Sequence, residues 1–199
     1  MRFQSLMPAL GTALPAFTAA DPAGRQYSTA DFAGGPGVLV AFICNHCPFV
    51  LHIADRFVEV ANAAVARGVR VVAISSNDVD AFPEDGPEPM ARFAAQRGFG
   101  FPYLYDADQQ VALAFGAVCT PDFFLYDGEG RLYYCGQFDR TRPTTPHTVG
   151  KLGAGQAATG DDLNAAIEAL LAGAPPPAEQ WPSQGCSMKW KPGLEPEWG

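Results

Sequence analysis

The apolar positions of the chain change their spacing repeatedly, and each change predicts a new structural element. Residues 38–43 are continuously apolar, which is typical of a strand buried on both faces. Across residues 50–64 apolar side chains recur every three or four positions, which predicts a helix, and Gly68 follows as its stop. A second apolar run at residues 69–74 predicts another buried strand. The order strand, helix, strand predicts a right-handed βαβ unit in a parallel sheet.

Weaker patterns fill the rest of the chain before residue 174. Residues 17–27 predict an N-terminal hairpin that turns at 21–24, and Ser28 with Asp31 predicts a capped helical turn. The further predicted elements are helices over 87–97, 108–115 and 161–172, the last capped by Thr159 or Asp161, a strand over 101–105, and a hairpin of residues 123–126 and 132–135. One α/β domain of residues 1–173 accounts for all of them.

The composition changes in the C-terminal tail, residues 174–199. Three consecutive prolines open the tail, and it contains all three tryptophans of the chain, Trp181, Trp190 and Trp198. Disordered segments are usually poor in aromatic residues because they have no core in which to bury them. We therefore expect the tail to be ordered and to dock its tryptophans on the domain.

Composition also limits the functions that the chain can have. Asp and Glu number 21 against 13 Lys and Arg, a formal net charge of −8, and an acidic surface disfavours nucleic-acid binding. No apolar run approaches the roughly 18 residues of a membrane span. The first 15 residues make a poor signal peptide, so a cytoplasmic location is expected. Five unevenly spaced cysteines do not form a disulfide scaffold, so we expect them to serve chemistry or packing.

The motif that points to chemistry is Cys44-Asn45-His46-Cys47, at the junction of a buried strand and a helix. The first turn of a helix stabilises anions, and the thiolate is the reactive form of cysteine. Lowering a thiol pKa from about 8.5 to about 7 raises the thiolate fraction at pH 7 from roughly 3% to roughly 50%. Residues three apart on a helix lie within disulfide reach. The sequence therefore predicts that Cys44, exposed at the helix tip, attacks a disulfide, and that Cys47, buried behind it, releases the product.

Other polar residues near the motif have candidate roles. An imidazolium at His46 would stabilise the anionic form of Cys44; the alternative is a partly exposed histidine that caps its own turn. Asp78, or Glu84 and Asp85 just beyond it, would accept the proton of Cys47, with a solvated loop acid as the alternative.

One known family shares five segments with this chain: residues 11–15 (GTALP), 42–50 (FICNHCPFV), 76–78 (SND), 120–124 (TPDFF) and 185–193 (GCSMKWKPG). By these segments the chain resembles the peroxiredoxin-like branch of the thioredoxin superfamily, the redoxin-domain or alkyl hydroperoxide reductase/thiol-specific antioxidant proteins. The resemblance implies a thioredoxin-like fold with a central mixed sheet flanked by helices. It also implies that the Thr120–Pro121 loop faces the cysteines, that this peptide bond is cis, and that the backbone of Thr120 pairs with a bound substrate strand.

The same resemblance leaves two activities open. Peroxiredoxins carry a Thr-x-x-Cys-Pro signature in this turn; Cys47-Pro48 matches its end, and Cys44 stands where the threonine belongs. That departure favours a thiol–disulfide oxidoreductase that uses the Cys44–Cys47 couple. The alternative is a thiol-dependent peroxidase with Cys47 or Cys44 as the peroxidatic residue, and Arg140 or Arg142 would then have to reach the thiolate.

The implied partners are protein or small-molecule disulfides, peroxides in the alternative activity, and an unidentified thiol reductant, with no cofactor. A metal-binding module is a further alternative, because Cys-x-x-Cys is half of a zinc site. The candidates to complete such a site are Cys119, Cys135, Cys186, His52 and His147. Otherwise Cys119 and Cys135 are expected to be packing residues. Cys186 is either a third redox thiol, if the tail crosses the active site, or a packed cysteine.

Overall fold

The structure, a computed structural model, describes residues 2–197 of the chain. Within these residues, ten strands and four α-helices follow one another in this order: β1 (Arg2–Gln4), β2 (Thr18–Ala20), β3 (Gln26–Ser28), β4 (Gly37–Phe42), α1 (Pro48–Ala66), β5 (Arg70–Ser75), α2 (Pro87–Arg97), β6 (Tyr103–Tyr105), α3 (Gln110–Phe115), β7 (Cys119–Thr120), β8 (Asp122–Asp127), β9 (Leu132–Gly136), α4 (Asp161–Leu171) and β10 (Gln184–Ser187).

Seven strands form the central sheet, in the order β3-β2-β6-β5-β4-β8-β9. Strands β4, β5 and β6 run parallel, whereas β2, β3, β8 and β9 pair antiparallel, so the sheet is mixed. Helices α1, α2 and α4 pack on one face of this sheet and α3 on the other. The α/β thioredoxin-like fold, its βαβ unit and its N-terminal hairpin are confirmed.

The continuous apolar run of residues 38–43 is explained by the position of β4 in the middle of the sheet. Each residue of β4 is buried, and neighbouring side chains point alternately to the two faces. Leu39 and Ala41 join the apolar cluster beneath α1, while Val40 and Phe42 join the cluster beneath α3. A strand with helices on both faces has no position at which a polar side chain would reach water, and this removes the alternation of an exposed sheet.

Helix boundaries differ from the predicted ones where a tertiary contact fixes them. Helix α4 is preceded by Gly160 in the left-handed region, with φ +74°, and this residue is the N-cap instead of the predicted Thr159 or Asp161. The buried carboxylate of Asp139 accepts hydrogen bonds from the backbone N–H groups of Thr159 (2.7 Å) and Gly160 (2.8 Å). The Asp139 carboxylate, some 20 residues away in the sequence, is thus the hydrogen-bond acceptor that a local capping side chain would otherwise provide for these N–H groups.

A second, three-stranded sheet with the order β1-β10-β7 lies outside the predicted elements. Strand β10 of the tail lies in its middle and pairs antiparallel with both neighbours, with Cys186 opposite Thr120. Strands β7 and β10 are two and four residues long, and β10 contains Gln, Gly and Ser. They have no apolar pattern of their own because backbone pairing between distant segments, rather than an amphipathic face, holds them together.

The tail packs on the domain, but its tryptophans behave differently from one another. Met188 is buried and Trp190 is partly buried against the cluster beneath α3. Trp181 remains 48% exposed, with the guanidinium of Arg140 5.2 Å from its ring centre, so the prediction that it docks is wrong. Trp198 lies outside the described residues.

The buried carboxyl group of Asp122, at the start of β8, makes the stability of the fold depend on pH. Burial raises the pKa of Asp122 from 3.8 to about 7, although the Ser5 hydroxyl donates a 2.5 Å hydrogen bond to it. Between the unfolded-state pKa of 3.8 and the folded-state pKa of about 7, the native protein holds a proton that the unfolded chain has already released. The free energy of unfolding therefore falls as the pH rises through this range.

We expect the free energy of unfolding to fall by about 2 kcal/mol between about pH 5.5 and about pH 8 because of this group. Urea titrations across this range measure the fall. It should be largely absent in Asp122→Asn and unchanged in Asp55→Asn, whose carboxylate is exposed. An equally steep fall in Asp122→Asn would assign the pH dependence to another group.

Candidate active site at the start of helix α1

The two cysteines of the Cys-x-x-Cys motif lie at the carboxyl end of β4, in the turn before α1. Cys47 is the N-cap of the helix: its carbonyl accepts the first helical hydrogen bond, from the N–H of Leu51 at 2.9 Å. Pro48 is the first helical residue, the position that proline favours because an N–H there would have no helical partner. The helix therefore begins after Cys47, and Cys44 lies three residues before this N-cap.

This placement corrects two predictions. Cys44 is not at the helix tip, and it is not the exposed member of the pair, since the exposed fraction is 1% for Cys44 and 0% for Cys47. The three-residue spacing fixes the relative position of the sulfurs but not the residue at which the helix begins, and Pro48 decides that.

The loop that holds Thr120 and Pro121 lies across both sulfurs, as the family resemblance implies, and its peptide bond is cis. The Sγ of Cys44 is 3.3 Å from the Oγ1 of Thr120. The Sγ of Cys47 lies 3.2 Å from the carbonyl oxygen of Thr120, a contact in which Cys47 donates only when its thiol is protonated. The backbone of Thr120 is paired with β10 of the same chain, so the strand partner that the resemblance assigns to a substrate is here the protein's own tail.

The tail also brings a third thiol to the site. Cys186 lies on β10, and its thiol and its backbone N–H both interact with the sulfur of Cys47. Cys44 and Cys186 therefore both act on the sulfur of Cys47. Of these three residues, Cys186 alone is partly exposed.

These contacts concentrate negative charge on the middle sulfur. Hydrogen bonds from the thiols of Cys186 and Cys44, with further support from the Val50 and Cys186 amides, hold the pKa of Cys47 well below its ordinary value despite burial. Because Cys44 and Cys186 donate hydrogen bonds to Cys47, the pKa of each of these two thiols is raised, and burial raises both further. The nearby charge of Asp85 also raises the pKa of Cys44. The thiolate is therefore at Cys47, at the positive end of the helix dipole. The sequence pattern predicted it at Cys44.

His46, between the two cysteines, forms an ion pair instead of capping its own turn. Its Nδ1 lies 2.7 Å from the Oδ2 of buried Asp85, and its ring stacks on Phe82 with ring centres 5.3 Å apart. The pKa of His46 is raised, chiefly by Asp85 and in smaller part by the charge at Cys47. By reciprocity an imidazolium at His46 favours the thiolate of Cys47 rather than that of Cys44.

Asn45 fixes the turn between the cysteines to the loop that follows β5. Its N–H donates to the Oδ1 of Asp85 at 2.7 Å, and its side-chain amide donates to the carbonyl oxygen of Glu84 at 2.8 Å. The hydroxyl of Tyr103 donates to the Oδ1 of Asn45. The side-chain amide of Asn77 donates to the Oδ2 of Asp85, and its Oδ1 accepts from the N–H of Lys189 in the tail. Tyr103 carries no sequence signal for this role, because only the fold brings it to the turn, whereas Asn77 lies in the family segment 76–78.

The acid beside the cysteines is Asp85, and this corrects the assignment of Asp78. Asp78 faces the tail: its N–H donates to the carbonyl oxygen of Lys189 at 2.8 Å, and its carboxylate accepts from the N–H of Asp80. A carboxylate oxygen of Asp85, the Sγ of Cys44 and a ring nitrogen of His46 all lie within 4.8 Å of one another.

Cys44, His46 and Asp85 form the one group with metal-ligand geometry among residues 2–197. It differs from the predicted combinations, since Cys47 and the other cysteines are not part of it. Asp85 is already engaged by His46, Asn45 and Asn77, and Cys44 by Thr120. The contacts therefore describe a hydrogen-bonded redox site, and they do not favour the metal-binding alternative.

The other cysteines and the candidate arginines make separate contacts. Cys119 and Cys135 are fully buried, and burial raises the pKa of each thiol, which suits packing rather than chemistry. Arg142 donates to the carbonyl oxygen of Asp139 and to the side chain of Gln137, and Arg140 lies over Trp181.

Replacing Asp85 with asparagine tests the ion pair at His46. Loss of the carboxylate charge should lower the pKa of His46, because Asp85 is the largest cause of its elevation. NMR titration of the imidazole measures this pKa. The matched control is Glu84→Gln: Glu84 is half exposed and 3.8 Å from the ring, so the control should lower the pKa much less. Equal shifts in the two variants would refute the pairing.

A buried cysteine pair, a cis Thr120–Pro121 loop opposite it and a helix whose N-cap is the second cysteine are the features of a thioredoxin-like site for thiol-based redox chemistry. No helix within residues 2–197 has the length and apolar character needed to span a membrane.

The chain belongs to the AhpC/TSA family, which it matches over residues 10–135, so the predicted family is confirmed. It is 32% identical over 107 residues to a Mycobacterium tuberculosis protein that carries the name of a peroxiredoxin; this match covers 54% of the chain and 63% of that protein, just under two thirds of its length. It is 27% identical over 124 residues to the thiol-disulfide oxidoreductase ResA of Geobacillus thermodenitrificans, covering 62% and 67% of the two chains.

A longer likeness is to the crystal structure of a hypothetical protein from Sinorhizobium meliloti 1021. The two chains are 46% identical with a TM-score of 0.89, and the match covers 96% of this chain and 99% of the other. The shared fold therefore includes the region beyond residue 135.

Proposed function

We propose that the protein is a thiol–disulfide oxidoreductase in which Cys47 is the attacking thiolate and Cys44 the thiol that completes the disulfide. The observation that carries this proposal is the position of Cys47 at the N-cap of α1, between two thiol donors that lower its pKa. A thiolate at neutral pH with a second thiol beside it is the chemical requirement for two-electron disulfide exchange.

In the proposed cycle the thiolate of Cys47 attacks one sulfur of a substrate disulfide. A bond forms between Cys47 and that sulfur, the substrate S–S bond breaks, and the other sulfur leaves as a thiolate that takes a proton from water. Cys44 then loses its proton and attacks the sulfur of Cys47, forming the Cys44–Cys47 disulfide and releasing the second substrate thiol. Asp85, within 4.8 Å of the Cys44 sulfur, is placed to accept that proton. The substrate gains two electrons, and an external thiol reductant restores the dithiol.

Small-molecule disulfides fit this site better than protein disulfides. Both sulfurs of the couple are buried, and the backbone of Thr120 beside them already pairs with β10. A backbone group paired within the chain is not free to pair with an extended peptide.

A thiol-dependent peroxidase is the second candidate, because one observation favours it specifically. Cys47-Pro48 begins α1 at the position of the peroxidatic Cys-Pro of peroxiredoxins, and Cys47 is the residue with the lowered pKa. In that activity the Cys47 sulfur would take one peroxide oxygen to become a sulfenic acid, an alcohol or water would leave, and a thiol would displace water to give a disulfide. The largest causes of the lowered pKa are thiols and backbone amides rather than an arginine.

One comparison separates the two candidates. A variant with both Cys44 and Cys186 replaced by serine keeps Cys47 but lacks both neighbouring thiols. With oxidised glutathione as the probe, we expect mass spectrometry to find a stable mixed disulfide on Cys47. With hydrogen peroxide, we expect wild-type protein to react no faster than a simple thiolate. Rapid peroxide consumption with sulfenic acid on Cys47 would instead establish the peroxidase.

A further inference from the structure

Strand β10 is held against the active site by a close backbone approach that leaves no room for a side chain at its second residue. A Cβ atom at Gly185 would lie 2.0 Å from the carbonyl oxygen of Thr120 and 2.6 Å from its carbonyl carbon. Real Cβ atoms do not approach backbone atoms so closely, so glycine is required at this position. The strand is therefore fitted to the Thr120 loop, and the next residue along it, Cys186, has a fixed place opposite Thr120.

Cys186 pairs with Thr120, whose carbonyl oxygen is 3.2 Å from the Cys47 sulfur, and it packs against the cluster that contains Cys44 and Cys47. The fixed place of Cys186 therefore puts it beside Cys47, 139 positions earlier in the chain. Cys47 is thus shared by two potential disulfide partners. Cys44 is buried on the protein side, whereas Cys186 is partly exposed. An external reductant therefore approaches the sulfur of Cys186 more readily than the two buried sulfurs.

We propose that Cys186 is a third redox-active thiol, which exchanges with the Cys44–Cys47 disulfide to form a Cys47–Cys186 disulfide and so carries the oxidised state from the buried pair to the protein surface. This inference rests on the proposed function, because the Cys44–Cys47 disulfide is its starting point.

The exchange needs no additional oxidant. Cys186 loses its proton and attacks the sulfur of Cys47; the Cys47–Cys186 bond forms and the Cys44–Cys47 bond breaks. Cys44 leaves as a thiolate and takes up a proton, so the numbers of protons and electrons on the protein are unchanged. The external thiol reductant then attacks the exposed sulfur of Cys186. This forms a mixed disulfide and returns Cys47 as the thiolate, and a second reductant thiol attacks the mixed disulfide to release Cys186 and the oxidised reductant.

Disulfide mapping of oxidised variants, each with one cysteine replaced by serine, tests the inference. Wild type, Cys44→Ser, Cys186→Ser and the control Cys119→Ser are oxidised with oxidised glutathione, alkylated and mapped by mass spectrometry. We expect Cys44→Ser to form an intramolecular Cys47–Cys186 disulfide and Cys186→Ser to form only Cys44–Cys47. Wild type and Cys119→Ser should each contain both. Cys44→Ser that stops at a glutathione mixed disulfide on Cys47, with Cys186 alkylated, would overturn the inference.

The kinetics of reduction provide a second measurement. Oxidised Cys186→Ser should be reduced by reduced glutathione about tenfold more slowly than wild type, because the remaining disulfide is buried. Equal rates would refute the role of Cys186 as the surface relay. If Cys186→Ser forms no Cys44–Cys47 disulfide at all, the proposed function itself fails, and this outcome is distinct from failure of the relay.

Discussion

Cys47→Ser should lower the rate of disulfide exchange by at least about 10³-fold, because it removes the only thiol that the site maintains as a thiolate. The hydroxyl of serine is not ionised at neutral pH, so it cannot act as the nucleophile even at a site that stabilises negative charge. Consumption of oxidised glutathione in the presence of a reductant measures the loss. Circular dichroism and thermal unfolding should match wild type, since Ser and Cys are nearly isosteric.

The same experiment distinguishes Cys47 from the other cysteines. Cys135→Ser, in a buried thiol on β9, should keep activity close to wild type. Cys44→Ser should still form a covalent adduct at Cys47, because it retains the attacking residue. If Cys47→Ser keeps substantial activity while Cys44→Ser loses the first covalent step, Cys44 is the nucleophile and the assignment is wrong.

Gly185→Ala should destabilise the protein by about 3 kcal/mol, because the new methyl group has to displace either β10 or the Thr120 loop. Denaturant unfolding measures the loss. The variant should also raise the pKa of Cys47, since moving β10 withdraws the thiol and the N–H of Cys186.

Gln184→Ala, one residue earlier on the same strand, is the matched control and should change neither quantity appreciably. Its side chain lines an open cavity of about 460 Å³ at the surface. If Gly185→Ala has the stability of wild type, the tail strand is not held against Thr120 as the structure describes.

The elements that were predictable from the sequence are those whose pattern is local. The buried run of β4, the three- and four-residue spacing of α1 and the 87–97 bounds of α2 each follow from the residues themselves. The Cys-x-x-Cys motif likewise identified the site, and the family resemblance placed the Thr120–Pro121 loop opposite it.

The roles within the site were not predictable, because they depend on contacts between distant segments. The order of the two cysteines was inverted because the spacing of the apolar positions does not mark the first residue of α1, whereas Pro48, at the position that proline favours, does. The charge at Cys47 depends on Cys186, and the orientation of His46 depends on Asp85; the sequence offers no rule for either pairing. Strand β10 carries no apolar pattern, so its place beside Thr120 follows only from the tertiary fold.

The central claim is that Cys47 is the thiolate of the reduced protein, and the ultraviolet absorbance of the thiolate measures it without requiring access to the buried sulfur. Fully reduced wild type, Cys47→Ser and Cys44→Ser are titrated between about pH 4 and about pH 9. The predicted result is close to one thiolate per chain at about pH 6 in wild type, and none in Cys47→Ser at that pH. A thiolate at about pH 6 that persists in Cys47→Ser and disappears in Cys44→Ser would contradict the account.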